Sequence, residues 1–242
     1  MSLPLVTCLC LTTQGRVLFL KRAIDCFIAS TYPARELLII ADSADDLGDE
    51  IGPSRGHLPN LVDDGLGPDV GGAFIVAPRK MNIGQKRNYG CNEAAGDLIA
   101  IWDDDDYSAP GRLSQQVFDL RSTNSAVTGY REMKFTDGAS WWSFSLAAGF
   151  CHGTSLMFRR DWWAKHPFPE LNIGEDAGFC EAAAAEKQLL AFPDLGLMYA
   201  TIHPGNTSKR RPGYDAGWTP LPGFEWSDTS SHPNESVHER QS

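Results

Sequence analysis

Between Leu5 and Ala41 the chain reads strand, helix, strand, and that order restricts the possible architecture more than any other feature. Leu5 to Leu11 is a nearly continuous apolar stretch, the pattern of a strand buried on both faces. A polar loop follows, Thr12-Thr13-Gln14-Gly15-Arg16. Leu20, Ala23, Ile24, Phe27 and Ile28 then recur at helical spacing until Tyr32-Pro33 stops them. Glu36 to Ala41 is a second buried strand, ending on Asp42. Phe74 to Val76 reads as a third, short strand, Gln85 to Ala95 as a helix closed by Gly96, and Leu98 to Trp102 as a fourth strand. After Pro110, Leu113, Val117 and Leu120 share one helical face. Apolar strands alternating with helices predict an α/β fold: a mostly parallel central sheet with right-handed crossovers, flanked by helices. Ligands of such sheets bind beyond the carboxyl ends of the strands, where Thr12, Asp42 and Asp103 to Asp106 all fall.

The second half changes character. Ala126 to Phe135 and Trp141 to Leu146 read as strands, Thr154 to Arg159 as another, and Gly174 to Leu190 contains an alanine-rich helix. From about Pro204 the chain is polar and proline-rich, and is expected to be partly ordered at best. Ser43 to Gly72, rich in Gly, Pro and Asp, is expected to hold a short helix near Asp46 to Ile51 and otherwise to act as a mobile flap.

Composition narrows the class. A chain of 242 residues with 42% hydrophobic content can bury one sizeable core. Its 21 basic and 31 acidic residues give a net charge of −10, which argues against a surface built to grip nucleic acid or anionic lipid, although Lys209-Arg210-Arg211 could form a local basic patch. The start, MSLPLVTCLCLTTQGR, lacks a basic leader and turns polar after Leu11, so it reads as a first strand and not as a signal peptide. No stretch approaches the roughly 18 to 20 apolar residues of a spanning helix. Six cysteines without a C-x-x-C pair fit reduced core residues of a cytoplasmic protein.

The residues IWDDDDYSAPGRL raise a physical question. At about 5 Å and an effective dielectric of about 20, neighbouring carboxylates repel by roughly 3 kcal/mol, so water or a bound cation must offset the cost. Hard Mg2+ or Mn2+ prefers carboxylate oxygens, and an extended strand end would point Asp103 and Asp105 to one side, with Asp104 and Asp106 elsewhere or behind them. Lys86 and Arg87 lie on the preceding helix, and a guanidinium can hold phosphate oxygens in bidentate fashion. Glu175 and Asp176 precede the alanine-rich helix, a position the helix macrodipole favours for acids.

Three separated stretches carry a resemblance. They are TTQGRVLFLKRAIDCFIASTYPARELLIIADSADD, NIGQKRNYGCNEAAGDLIAIWDDDDYSAPGRL and NIGEDAGFC. Together they resemble the nucleoside pocket, the central Asp-x-Asp block and the Glu-Asp motif of family 2 glycosyltransferases, enzymes of the GT-A fold that form glycosidic bonds from nucleotide-diphosphate sugars. The resemblance implies a Rossmann-like nucleotide-sugar-binding domain over residues 1–205, with residues 1–125 as the donor half, 126–205 as the acceptor half and 206–242 as a polar tail. It implies an inverting, metal-dependent transfer, most plausibly from a UDP-sugar, with Mn2+ or Mg2+ held by Asp105. Asp103 would lie nearer the ribose or a metal-bound water, and His203 in TIHPGNTS resembles a late histidine that reaches metal or diphosphate. Thr12, Thr13, Arg16, Asp42, Lys86, Arg87, Asp103 and Asp104 would contact the donor. Asp176 would be the base that takes the proton of the attacking hydroxyl, with Glu175 contacting acceptor or holding the loop.

There are departures from the family pattern. The Tyr-Asn pair of its first loop is Gln14-Gly15 here, and the first aspartate of its Asp-Asp pair is Ala41, leaving Asp42 to match the second. Trp141, Trp142, Trp162 and Trp163 could offer flat faces to a sugar or serve as core and rim residues. The acceptor stays open: a glycan, a lipid-linked sugar, a protein or another hydroxyl-bearing molecule, with nucleic acid not favoured. Two other readings stay open as well. A sugar-nucleotide pyrophosphorylase would open with a Gly-rich phosphate loop, which the N-terminus lacks, and a non-catalytic sugar- or Ca2+-binding protein would use the aspartates for affinity alone.

Overall fold

A computed structural model describes residues 2–47, 56–57, 70–214 and 216–227. Strand β1 (Val6–Leu11) leads through helix α1 (Val17–Ala29) to β2 (Arg35–Ala41), which pairs with it in parallel. A two-residue edge strand β3 (Gly56–His57) runs antiparallel to β4 (Val70–Val76), which is parallel to β2. Helix α2 (Ile83–Glu93) then leads to β5 (Leu98–Ile101), parallel to β1 on its other side. Beyond these come β6 (Tyr107–Ser108), α3 (Arg112–Thr123), β7 (Val127–Thr136), β8 (Trp141–Ser145), β9 (Met157–Arg159), α4 (Arg160–Trp163), α5 (Glu175–Ala185), β10 (Leu189–Pro193), β11 (Met198–Thr201) and β12 (Trp218–Pro220). The main path of the sheet is β12-β8-β7-β9-β5-β1-β2-β4-β3, parallel where β4, β2, β1 and β5 lie together and antiparallel where β9 joins β5 to β7. The α/β class expected from the alternation of apolar runs is the one observed.

The apolar strands are apolar because both faces are covered, and their residues divide with the period of two. Val6, Cys8 and Cys10 of β1, Leu37 and Ile39 of β2, and Leu98 and Ala100 of β5 meet Leu20, Ala23 and Phe27 of α1 and Leu113, Val117 and Leu120 of α3. On the other face Leu9, Leu38, Ile40, Ile99 and Ile101 meet Cys91 of α2 and Phe179, Cys180 and Ala183 of α5. All six cysteines are free and buried. Helix α2 starts two residues before the sequence-based expectation because Asn82 caps it: its side chain accepts from the Gln85 N–H while Gln85 reaches back to the Asn82 N–H. Gly90 lets α2 lie close on β1, since a Cβ there would stand 2.3 Å from Leu9 Cδ1.

Of the expected segment from Ser43 to Gly72, a 3-10 turn spans Ala44–Leu47, where Asp46 accepts from the Ser43 N–H at 2.8 Å, and β4 begins at Val70, four residues before Phe74. The flap expected over the rest lies outside the described residues, β3 aside. The polar segment after Pro204 runs back over the sheet as far as it is described. Strand β12 pairs with β8 at the sheet edge, where Pro220 is tolerated, and Trp226 packs 4.9 Å from Tyr199 and 5.6 Å from Tyr107. Among the described residues no helix is long and apolar enough to cross a membrane.

Candidate active site

The carboxyl ends of β1 and β5, the N-terminal parts of α2 and α5 and the segment after β11 enclose a cavity of about 270 Å³. Thr12, Thr13, Arg16, Lys86, Arg87, Asp103, Asp104, Asp105, Glu175 and Asp176 all line it, so residues singled out across 165 positions of sequence meet in one place.

The four aspartates do not continue β5. The strand ends at Ile101, and residues 103–106 form a turn in which the Asp106 N–H approaches the Asp103 carbonyl at 3.4 Å. The expected alternation is therefore absent: a turn curls its side chains around one space, and all four acids line the cavity. Asp104, expected to point elsewhere or stand behind, accepts from Thr12 Oγ1 at 2.8 Å and from Arg16 through Nε at 2.9 Å and Nη2 at 2.6 Å. Burial still pushes its carboxyl up to about 6. Asp105 Oδ2 is met by His203 Nε2 at 2.9 Å, Asn206 Nδ2 at 2.9 Å and Arg16 Nη2 at 2.5 Å. Phe19 stacks on the His203 ring at 4.4 Å and holds it in place. Asp106 accepts from the Thr201 N–H at 2.9 Å, and burial raises its carboxyl well above the usual range. Burial also raises Asp103, against the pull of Arg87.

Arg112 holds this turn from below. Fully buried, it donates to the carbonyls of Ile101 at 2.9 Å and Thr154 at 3.0 Å, to Ser108 Oγ at 2.8 Å and to Gln116 Oε1 at 3.1 Å. The sequence reading missed it, although a signal existed: Arg112 and Gln116 sit four residues apart on the face of Leu113, Val117 and Leu120. A polar pair on an apolar face must find buried partners.

At the other end of the cavity Glu175 and Asp176 open α5 behind Gly174, whose φ of +86° suits glycine. Glu175 is buried and pairs with Arg87 Nη1 at 2.9 Å, and burial raises its carboxyl against that pull. Arg87, expected on phosphate or nucleoside, thus ties α2 to α5, while its buried Nε has no hydrogen-bond acceptor among the described residues. Asp176 Oδ1 takes the Ala177 N–H at 2.8 Å, and its Oδ2 faces Gly153, where a Cβ would come within 2.4 Å. Lys86 lines the cavity but its Nζ lies 2.7 Å from each oxygen of Asp42, which stands at the rim. Asp42 and His203 thus join the site through Lys86 and Asp105. The tryptophans do not line it: Trp162 is buried under His166, Trp163 donates to Asn88, and Trp141 packs among Tyr199, Phe224 and Trp226. Asn206, which the sequence did not point to, and Arg210, from the basic run Lys209-Arg210-Arg211, do line it.

A metal fits this arrangement only in company. Among the described residues no group of three His, Cys, Asp or Glu side chains could hold an ion. Asp105 and His203 converge as an oxygen and a nitrogen donor, and Mg2+-like ions commonly take one or two carboxylates and complete their shell with substrate phosphates and water.

The chain matches the profile of glycosyl transferase family 2 over residues 8–178. A comparison with curated proteins finds no match. Among solved structures it is similar to S. aureus TarS 1-349 in complex with UDP-GlcNAc (TM-score 0.66, 16% identity, 84% of this chain and 60% of that one). It is also similar to TarS 1-349 in complex with UDP (TM-score 0.64, 16% identity, 83% and 61%). A third similar structure is the mannosyltransferase PcManGT from Pyrobaculum calidifontis in complex with GDP-Man and Mn2+ (TM-score 0.59, 16% identity, 84% and 57%). The chain spans about three-fifths of the length of these proteins, and at such identity the likeness establishes the fold, which is GT-A. The profile match covers more than half of the chain and includes the acid turn and the start of α5, and the chain belongs to glycosyl transferase family 2.

Proposed function

We propose that this chain transfers a sugar from a UDP-sugar to an acceptor hydroxyl with inversion at the anomeric carbon. The observation that carries the reading is that the Asp105 cluster and the Asp176 carboxylate share one cavity, joined by the Arg87–Glu175 pair. Complexes of TarS with UDP and UDP-GlcNAc support a uridine donor, and the Mn2+ complex of PcManGT supports a cation.

In this reading residues 1–125 hold the donor, with Thr12, Thr13 and Asp42 on the nucleoside side and Arg16 and Lys86 toward the diphosphate. Asp105 and His203 would hold Mn2+ or Mg2+, which supplies Lewis-acid stabilisation of the charge that develops on the leaving diphosphate. Arg16 and Asn206 also converge on Asp105 and fix the direction of its carboxylate. Asp103 and Asp104 border the donor, Asp104 clamped by Arg16.

Asp176 is the base. Its Oδ1 is held by the Ala177 N–H, which leaves Oδ2 to take the proton of the acceptor hydroxyl as it attacks opposite the leaving group. Glu175, engaged by Arg87, fixes the first turn of the helix. Residues from 126 onward form the acceptor wall, and Asn206 and Arg210 extend the site beyond residue 205.

Thermal-shift screening of nucleotide sugars with and without Mn2+, followed by measurement of nucleotide release, tests this. A ligand at 100 times its Kd adds about 2.7 kcal/mol to stability, a rise of several degrees for a domain of this size. A UDP-sugar with Mn2+ should give the largest rise. Stabilisation by guanosine sugars alone would overturn the donor assignment, and stabilisation by Ca2+ with no response to any nucleotide would overturn the transferase reading.

A further inference from the structure

Four cationic side chains line the cavity, and three are already engaged. Arg16 is held by Asp104 and Asp105, Lys86 by Asp42 and Arg87 by Glu175, all within 2.9 Å. Arg210 is not. Half-buried in the cavity wall, it forms no ion pair and donates no side-chain hydrogen bond among the described residues. Its guanidinium lies 4.8 Å over the ring of Phe135, and its backbone N–H bonds the Ser208 carbonyl at 3.0 Å, so both ends of the side chain are fixed.

A guanidinium carries N–H donors in a rigid planar fork, and at Arg210 none of them is taken by a protein acceptor among the described residues. The acceptor that matches the fork is a pair of oxygens on a carboxylate or a phosphate. Position narrows the choice further. Phe135 belongs to β7, and the Arg210 charge acts on Asp106, Asp176 and Asp103 and on His152. The Phe135 ring under Arg210 lies 5.3 Å from the ring of His152, the chain neighbour of Gly153, whose missing side chain faces Asp176, so Arg210 joins the cavity wall on the side of Gly153 and Asp176.

We propose that Arg210 forms an oxyanion subsite beside Asp176 that takes a carboxylate or phosphate group carried by the acceptor. Docking that group on the fork would aim a neighbouring hydroxyl at Asp176 Oδ2, and it would make the enzyme selective for anionic acceptors. The inference rests on the transferase reading above. The β-phosphate of the donor offers the same oxyanion chemistry, and the experiment separates the two sources.

Calorimetry on the wild type, Arg210→Gln and Arg210→Lys would use uridine and UDP, then glycerol phosphate and glucuronate in the presence of saturating UDP and Mn2+. Glycerol phosphate or glucuronate should bind the wild-type complex and bind Arg210→Gln about tenfold or more weakly. Arg210→Lys, which keeps the charge and loses the fork, should recover part of the difference, and uridine and UDP should be unaffected. A loss confined to UDP would overturn the acceptor-side assignment and move the oxyanion to the leaving group. Equal binding of every ligand by the wild type and both variants, at equal melting temperatures, would overturn the subsite altogether. A wild type that bound neither uridine nor UDP would sink the transferase reading and this inference with it.

Discussion

Replacing Gly153 with alanine tests the role of Asp176 without altering Asp176. A Cβ at position 153 would stand 2.4 Å from Asp176 Oδ2, 2.9 Å from its Cβ and 3.0 Å from its Cγ. Gly153 does not have a positive φ, so the backbone accepts alanine and the whole effect is steric. Ordinary contact begins near 3.4 Å, so the carboxylate must withdraw by about 1 Å. Displacing a catalytic group by about 1 Å is worth about 100-fold in rate. Overpacking of this kind costs about 1–3 kcal/mol of stability, a fall of several degrees in Tm that leaves the protein folded at assay temperature. The assay is UDP release from the best donor found by screening, with calorimetry of UDP alongside. We expect kcat to fall about 100-fold while the Kd for UDP stays within about twofold, because Arg16, Lys86 and the acid turn are untouched. A Gly153→Ala enzyme with near-normal kcat would refute the argument, and so would a loss that appeared in UDP affinity instead.

Other perturbations address the remaining parts of the site. Asp176→Asn should bind UDP normally and turn over at least about 100-fold more slowly; near-normal turnover would pass the role of base to Glu175. Asp105→Asn should abolish the Mn2+-dependent part of UDP affinity, and calorimetry that gave the same Mn2+ response as the wild type would defeat the metal assignment. Arg87→Ala should cost about 3 kcal/mol in urea unfolding by leaving Glu175 buried and unpaired, with most of it recovered in Arg87→Ala/Glu175→Gln; no recovery would mean that the pair is not the cause. Burial, helped by the charge of Arg210, holds the His152 imidazole down at about 3, so the unfolded chain takes up a proton near pH 6.5 that the folded chain refuses. This contribution is complete above about pH 6.5 and is lost as pH falls, by about 1.5 kcal/mol between pH 6.5 and pH 5. His152→Asn should remove that increment from urea unfolding at the two pH values, and an unchanged increment in the variant would reject it.

Much of this was legible because it is local. The burial of alternate residues in β1, β2 and β5 on opposite faces is written in short apolar runs, and the helices in the spacing of Leu20, Ala23 and Phe27 or of Leu113, Val117 and Leu120. The Asn82–Gln85 cap is equally local, an Asn followed three residues later by a Gln, although it falls before the span expected to be helix; α2 has scarcely any apolar face, and Lys86 and Arg87 are among its buried residues. Partners were another matter. Period two does not extend past Ile101, where the chain turns, and no spacing along α2 records that Arg87 pairs with Glu175, on a helix 88 positions away.

The sequence by itself determined strands β1, β2 and β5, helices α1 and α3 and the acids that follow the strands, since these rest on the spacing of neighbours and the chemistry of each side chain. Only the tertiary structure decided which charge meets which. Strand β11 pairs with β6 and β7, and that closure carries His203 and Asn206 across about a hundred residues onto Asp105 and brings Arg210 against Phe135. Electrostatic partnership depends on distance through space, and no periodicity along the chain records it.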